Sequence, residues 1–357
     1  LGPQLAGPPG FGLVGIVDHE VFGSMETFQD QYTSADDVEA RDIALRERIQ
    51  HVLKRTLRRQ VLEYIKFTER FTHTADFVPS ADEERLYNEV SEYLQREVLV
   101  ALPNARRKLI TLVLRKLLAS SSAAIGATLA KFANRLRQAK LVLPEVAEET
   151  VAEDFESLEE VKEEWEEEDA QATPTADPAL AASELAALER FVALAKSIPR
   201  DAKAAKLIEA LPVAFDLAES KGAARKAVLF TESCKTQEYL FQLLSEHGYR
   251  DQIVLMNGSS SDSVSRQIYA DWKKRNERRW RDVSSGSRTA DMKAAIVEDF
   301  RERKALLLAT ESAAEGVNLQ FCSIVVNYDL PWNPQRIEQR IGRCHRYGQK
   351  HDVVVIN

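Results

Sequence analysis

Near its end the sequence reads QRIEQRIGRCHRYGQ (residues 335–349), which sets Arg336, Arg340, Arg343 and Arg346 within eleven residues, with Gln339 among them. Side chains three and four residues apart are neighbours on a helix, so these guanidinium groups are expected to share one face. They would repel one another unless an anion lay between them. Arginine offers a planar, bidentate fork to phosphate oxygens, which makes polyphosphate the chemistry to expect. On charge alone, a solvated basic helix face is the other reading. Asn333 suits an N-cap and Pro334 suits the first helical position, where its absent N–H costs nothing, so a helix is expected to open there.

The elements around this helix are legible in the apolar pattern. From Lys226 onward, short apolar runs alternate with helical stretches: Ala227–Phe230, Ile253–Met256, Ala305–Ala309, Ile324–Tyr328 and Val353–Ile356. Continuous runs mark strands buried on both faces, and helices between them make crossovers, so a parallel α/β sheet with flanking helices is expected. Ligands of such sheets bind at the carboxyl ends of the strands. Those ends carry Thr231-Glu232-Ser233, then Thr310-Glu311-Ser312 leading to Gly316 and Asn318, and then Trp332-Asn333-Pro334. Upstream the chain reads as mainly helical. An apolar stripe spans Asp37 to Phe67, and Ser80 with Glu83 forms a capping box after Pro79, which makes Asp82-Glu83-Glu84 a capping cluster and not a magnesium site. A second basic cluster, Lys273, Lys274, Arg278 and Arg279 between Trp272 and Trp280, would either bind a phosphate backbone or form a solvated face anchored by its tryptophans.

Composition bounds the rest. With 357 residues, 44% hydrophobic and 29% charged, the chain is not disordered throughout and is long enough for two units. The formal charge of −8 hides two opposed blocks. Val98–Pro144 holds nine basic residues and no acidic one, whereas Glu145–Asp169 holds fourteen acids against Lys162. The acidic block is expected to be a flexible or loosely helical connector, with a phosphate mimic seated in a basic groove as the alternative, and it could engage a protein partner. The divisions expected are 1–144, with a helical insertion, an acidic linker over 145–175, a helical connector over 176–220, and an α/β lobe over 221–357. Cys234, Cys322 and Cys344 make no CxxC pair, so thiolate metal binding is not expected. No apolar run approaches the ~20 residues of a membrane span, and a cytoplasmic, nucleoid-associated protein without membrane contact is expected. The chain starts without methionine and stops directly after an apolar run, which suggests a piece of a longer protein.

The detailed spacing goes further. QRIEQRIGRCHRYGQ resembles motif VI of superfamily-two helicases in the form used by Swi/Snf-type translocases, ATESAAEGVNLQ resembles motif V, and KAVLFTES resembles motif IV, in the family's order. The match covers Lys226–Asn357. FGLVGIVDHEVFGSMETFQDQY and LKRTLRRQVLEYI resemble more loosely the stretch that follows motif III, and the wording LQFCSIVVNYDLPWNPQRIEQRIGRCHRYGQK is similar to the bacterial, RapA-like branch. The resemblance implies a RecA-like C-terminal lobe that closes on ATP and magnesium held by a first lobe, and that moves along double-stranded DNA. On this sequence it implies arginine fingers at Arg343 and Arg346, and nucleotide contacts from Gln339, Gly316, Asn318 and Arg340. It also implies DNA phosphate contacts from Thr231, Thr310 and Ser312, with Lys273, Lys274, Arg278 and Arg279 adding to them. A GxxxxGK[ST] loop and an acidic box after a strand do not occur in the sequence, so the magnesium ligands and the nucleotide cradle are expected in a preceding lobe of the same native chain, and this chain alone is expected to be inert. A non-catalytic module that keeps the fold and binds nucleic acid or a partner is the competing reading.

Overall fold

The computed structural model describes residues 11, 14–15, 18, 21–33, 38–52, 68–102, 107–139, 144–155, 158, 178–258 and 262–357. The chain forms two compact units, Leu1–Lys66 and Phe67–Asn357. In the first, helix α1 (Val38–Ile49) buries Leu45 and Ile49 in a small core with Phe22, Phe28 and Tyr32. The stretch LKRTLRRQVLEYI lies wholly outside the described residues, as does most of FGLVGIV.

The second unit is built on a six-stranded, all-parallel sheet. In chain order its strands are β1 (Arg70–His73), β2 (Ala227–Thr231), β3 (Ile253–Met256), β4 (Leu306–Thr310), β5 (Ile324–Asn327) and β6 (Val353–Ile356), arranged β1-β6-β5-β2-β4-β3. The five apolar runs are therefore strands, and all of β2, β4, β5 and β6 is buried. Their side chains alternate between two cores. Val228, Phe230, Leu307 and Val355 face α9 (Ser263–Arg275), α10 (Arg288–Arg303) and α11 (Pro334–Cys344). Leu229, Leu308, Val326 and Ile356 face α7 (Ala202–Ser220) and α8 (Cys234–Leu244). Helices thus cover both faces, the architecture that a fully buried parallel sheet requires. Gln237 of α8 stitches the strand ends: its amide donates to the carbonyls of Met256 (3.0 Å) and Leu308 (2.9 Å).

Between β1 and β2 lies a helical region with its own core. It comprises α2 (Ala81–Leu94), α3 (Arg107–Ser120), α4 (Ser122–Ala139), α5 (Pro144–Ala152) and α6 (Pro178–Ser197). Leu86, Leu114, Phe132, Val151 and Phe191 all contribute to it. The expected capping box opens α2, with Glu83 N donating to Ser80 Oγ (3.3 Å) and Ser80 N donating to Glu83 Oε2 (2.7 Å). Buried Glu184 of α6 accepts from Tyr93 Oη (2.6 Å) and from the backbone of Val100 (2.6 Å) and Ala101 (3.0 Å), so the charge that α6 carries inward is fully partnered.

These cores do not follow the divisions drawn from composition. The unit boundary falls at Lys66/Phe67, and one helical core runs across both 144 and 176. The start of the acidic block is also no free connector. Residues 144–152 form α5, whose Ala147 and Val151 are buried, and Glu153 and Asp154 pair with Lys131 Nζ, each at 2.8 Å. Charge composition reports on surfaces, whereas the buried apolar stripe sets which helices share a core. The rest of the acidic block, from 156 on, lies outside the described residues apart from Leu158. Among the described residues, no helix is long and apolar enough to cross a membrane.

Candidate nucleotide and nucleic-acid interface

Helix α11 opens as its sequence dictates, with Gln335 N donating to Asn333 Oδ1 (2.9 Å) and Pro334 in the first turn. Its arginines then divide. Ile341, Cys344 and Arg340 are buried, and Arg340, only 2% exposed, turns toward the sheet. Its Nη2 donates to Glu311 Oε2 (2.6 Å) and its Nη1 to the Asp329 carbonyl, while its guanidinium stacks over the Phe230 ring. Arg336 also leans on Glu311, 3.8 Å away. The single shared arginine face expected from spacing is therefore corrected: Arg340 turns inward, onto Glu311 and the Asp329 carbonyl. A helix period cannot show that a carboxylate following β4 and a carbonyl following β5 capture one arginine of the four.

Arg343 and Arg346 remain. Arg343 is half-buried, Arg346 and Gln339 are exposed, and no side-chain bond engages either arginine among the described residues. The backbone around them is fixed. Leu319 N donates to the Arg343 carbonyl (3.0 Å), and the Gln349 amide donates to the carbonyls of Cys322 (3.1 Å) and Cys344 (3.2 Å), tying the stretch after β4 to the end of α11. In that stretch Gly316 takes φ +75°, and nothing approaches within 4 Å of where a Cβ would sit, so the backbone there is open. Asn318 is exposed and accepts from Gln320 N (3.2 Å).

The threonines expected to face nucleic acid do not. Thr231, 1% exposed, donates its hydroxyl to Asp329 Oδ2 (2.6 Å), and Thr310 is buried at the end of β4. The helical region closes this end of β2: Phe155 bridges to Ser233, and Cys234 N donates to the Asp154 carbonyl. Ser312 sits in the helical turn Glu311–Ala314, and its side chain is outside the described residues. By contrast Lys273, Lys274, Arg278 and Arg279 are exposed as a cluster. Trp272 anchors it from below, donating Nε1–H to Glu298 Oε2 (2.9 Å) and meeting Trp280 edge-on, while Lys273 lies over the Trp280 ring.

Sequence reasoning missed the centre of the assembly, which is Asp329. Its Oδ1 accepts from Lys203 Nζ of α7 (2.8 Å), and its Oδ2 accepts from Ser120 Oγ of α3 (2.7 Å), Thr231 Oγ1 (2.6 Å) and Glu232 N (3.0 Å). Burial alone would raise this carboxyl's pKa, but the Lys203 charge and the donated hydrogen bonds outweigh it and hold Asp329 below the usual carboxylate range. Glu232 next to it goes the other way: burial pushes it up, and its ion pair with Lys116 (3.1 Å) only partly offsets this. The available signal was a lone acid directly after a buried strand in IVVNYDLP. Among the described residues, no group of three His, Cys, Asp or Glu could hold a metal ion.

Residues 282–348, which contain the stretch after β4 and all of α11, match the family model for the helicase conserved C-terminal domain. The matched stretch lies within the second unit and includes strands β4 and β5 of its parallel sheet. The chain is 37% identical over 132 residues to the uncharacterized ATP-dependent helicase YqhH of Bacillus subtilis (strain 168), covering 37% of this chain and 18% of that protein. It is 44% identical over 66 residues to the RNA polymerase-associated protein RapA of Serratia proteamaculans (strain 568), covering 18% of this chain and 7% of RapA. A solved structure, the C-terminal part of the Fun30 ATPase domain, aligns with 82% of this chain and 85% of its own at TM-score 0.40 and 15% identity. The chain thus spans less than a fifth of the curated relatives it matches.

Proposed function

We propose that this chain is the C-terminal half of an ATP-dependent translocase of Swi/Snf type that moves along double-stranded DNA. The observation that carries the reading is the division of α11: Arg336 and Arg340 are held by Glu311, whereas Arg343 and Arg346 point from a backbone fixed by Leu319 and Gln349 with no partner of their own among the described residues. Two unengaged guanidiniums on a rigid support suit the charge of a γ-phosphate, and an arginine finger contributes on the order of 10³–10⁵ in rate. ATP bound with magnesium supplies the phosphoryl group whose transfer drives movement. Arg343 and Arg346 would meet it from this side, with Gln339, Asn318 and the open backbone at Gly316 beside them. The sequence has no phosphate-cradling loop, so the cradle and the magnesium ligands are assigned to a preceding lobe in the native chain, and this chain alone is inert. Arg340 becomes a positioning residue. Contact with DNA phosphates moves from Thr231 and Thr310 to Lys273, Lys274, Arg278 and Arg279. The setting is cytoplasmic.

The test is ATP turnover by this chain with and without duplex DNA, beside R343A/R346A. Background turnover with salt-sensitive duplex binding supports the reading. DNA-stimulated turnover that vanishes in the double variant would overturn the half-enzyme assignment.

A further inference from the structure

Arg343 and Arg346 differ in what carries them. Arg343 lies within α11 and shares the rigidity of the helix, whereas Arg346 lies past the helix end at Cys344, in a turn. That turn runs Arg346-Tyr347-Gly348-Gln349 and is closed by Gln349 N donating to the Arg346 carbonyl (3.0 Å). Gly348 stands at its third position with φ +94°, the left-handed conformation that a type II turn requires there. Type I and type II turns share the closing bond and differ in a flip of the middle peptide, here Tyr347–Gly348. The closing bond alone therefore leaves open which way the turn faces.

Gln320, from the stretch between β4 and β5, acts on that middle peptide. Its Nε2 donates to the Tyr347 carbonyl (2.6 Å), and a Cβ at Gly348 would sit 3.8 Å from both Nε2 and Oε1 of Gln320, so the amide packs directly on the turn. The amide is itself oriented. Asn318 Nδ2 donates to Gln320 Oε1 (3.4 Å), which directs Nε2 to Tyr347, and Gln320 N donates back to Asn318 Oδ1 (3.2 Å). Gln349 has a different hold: its side-chain amide donates to the carbonyls of Cys322 and Cys344, both outside the turn, and so does not select the face of the middle peptide.

We propose that Gln320 is a positioning residue that selects the face of the Tyr347–Gly348 peptide and thereby the direction in which Arg346 leaves the turn. This rests on the reading of Arg346 as an arginine finger. Asn318, which that reading sets beside the nucleotide, is clasped to Gln320, so one short hydrogen-bonded chain joins the nucleotide-facing stretch to the finger. A finger serves the transition state more than the bound ground state, so misaiming it is expected to lower kcat and to spare KM.

Gln320→Met keeps the reach of the side chain and removes its N–H donor, and two measurements test the variant. In this chain, hydrogen exchange at the Gln349 amide, which closes the turn, is expected to run about fivefold faster, the effect of one net hydrogen bond, while the urea midpoint stays unchanged. In the native protein that contains the chain, Q320M is expected to lose roughly tenfold or more in kcat for DNA-stimulated ATP turnover at an unchanged KM for ATP, and Q320M/R346A to be no slower than R346A. Unchanged exchange at Gln349, a wild-type kcat in Q320M beside an impaired R346A, or a further loss of about tenfold in Q320M/R346A would each overturn the positioning role and leave the translocase reading standing. No DNA-stimulated turnover by the native protein, or a wild-type kcat in R346A, would overturn the finger reading and this proposal with it.

Discussion

Asp329→Asn is the sharpest test of how this lobe is held together. The carboxylate collects one ammonium, two hydroxyls and one backbone N–H from α7, α3 and the end of β2. An asparagine can keep its oxygen toward the three donors on the Oδ2 side, but it must then face Lys203 with an amide N–H. Removing one partner of a buried ion pair costs ~3–5 kcal/mol. Lys203 is 19% exposed and water reaches part of its ammonium, so the lower end applies, about 3 kcal/mol. The alanine variant loses the hydroxyl bonds as well, each worth ~0.5–1.5 kcal/mol, and is expected to cost about 5 kcal/mol. Urea unfolding followed by tryptophan fluorescence at pH 7 reads both, with the m-value unchanged. The pH dependence has a definite sign. The native pKa of Asp329 lies below its unfolded value of about 3.9, so its contribution is complete above that value and is lost as pH falls through the native one. The gap between wild type and Asp329→Asn should therefore be constant from pH 7 to pH 5 and close below pH 4. A loss under about 1 kcal/mol at pH 7, or a gap that widens in acid, would refute the argument.

Glu311→Ala leaves Arg340 buried with the Asp329 carbonyl as its remaining acceptor, and its Nε is already unpartnered, so a loss of ~3–5 kcal/mol is expected in the same unfolding assay, partly restored in Glu311→Gln. Gly126 lies where α4 meets α6, and an added Cβ would fall 2.8 Å from Ala195 Cβ, so Gly126→Ala is expected to cost ~1–3 kcal/mol by overpacking; a neutral result would mean the two helices part freely. Replacing Lys273, Lys274, Arg278 and Arg279 with alanine should flatten the salt dependence of duplex binding by ~0.9 in log–log slope for each phosphate no longer neutralised, and an unchanged slope would remove this cluster from the interface.

The parts of the lobe that were legible in advance are those in which local pattern and tertiary need coincide. Ala227–Phe230 and Val353–Ile356 are continuous apolar runs because both faces of the sheet are covered, and Ser80, Asn333 and Pro334 act through neighbours within three residues. β1 left no such mark, since Arg70–His73 is an exposed edge and carries no apolar run. What could not be read was the direction of individual polar side chains. The same four-residue spacing describes Arg336 and Arg340, and only Glu311 and the Asp329 carbonyl, brought in by other strands, separate the half-exposed one from the buried one. Thr231 stands at the expected strand end, but Asp329 takes its hydroxyl and residues 154–155 cover the turn beyond it, a closure that depends on a segment more than seventy residues upstream.

The place of β1 bears on how the molecule is made. Among the described residues Arg70–His73 has β6 as its sole neighbour in the sheet, and β6 is Val353–Ile356. Asn357 extends the seam, its N donating to the His73 carbonyl (3.0 Å) and its carbonyl accepting from Ala75 N (2.9 Å). On a ribosome this edge emerges before the helical region and before the other five strands, and its partner is the last of them to be made. The Asn327–Asn357 amide contact likewise waits for that last strand. The inner strands can assemble as they emerge, whereas the β1 seam is a contact of very high sequence separation and closes last. Until it does, β5 presents an open flank to whatever strand comes by. Chains stalled short of residue 353 should therefore aggregate through that flank, and a peptide carrying the β6 sequence should protect them.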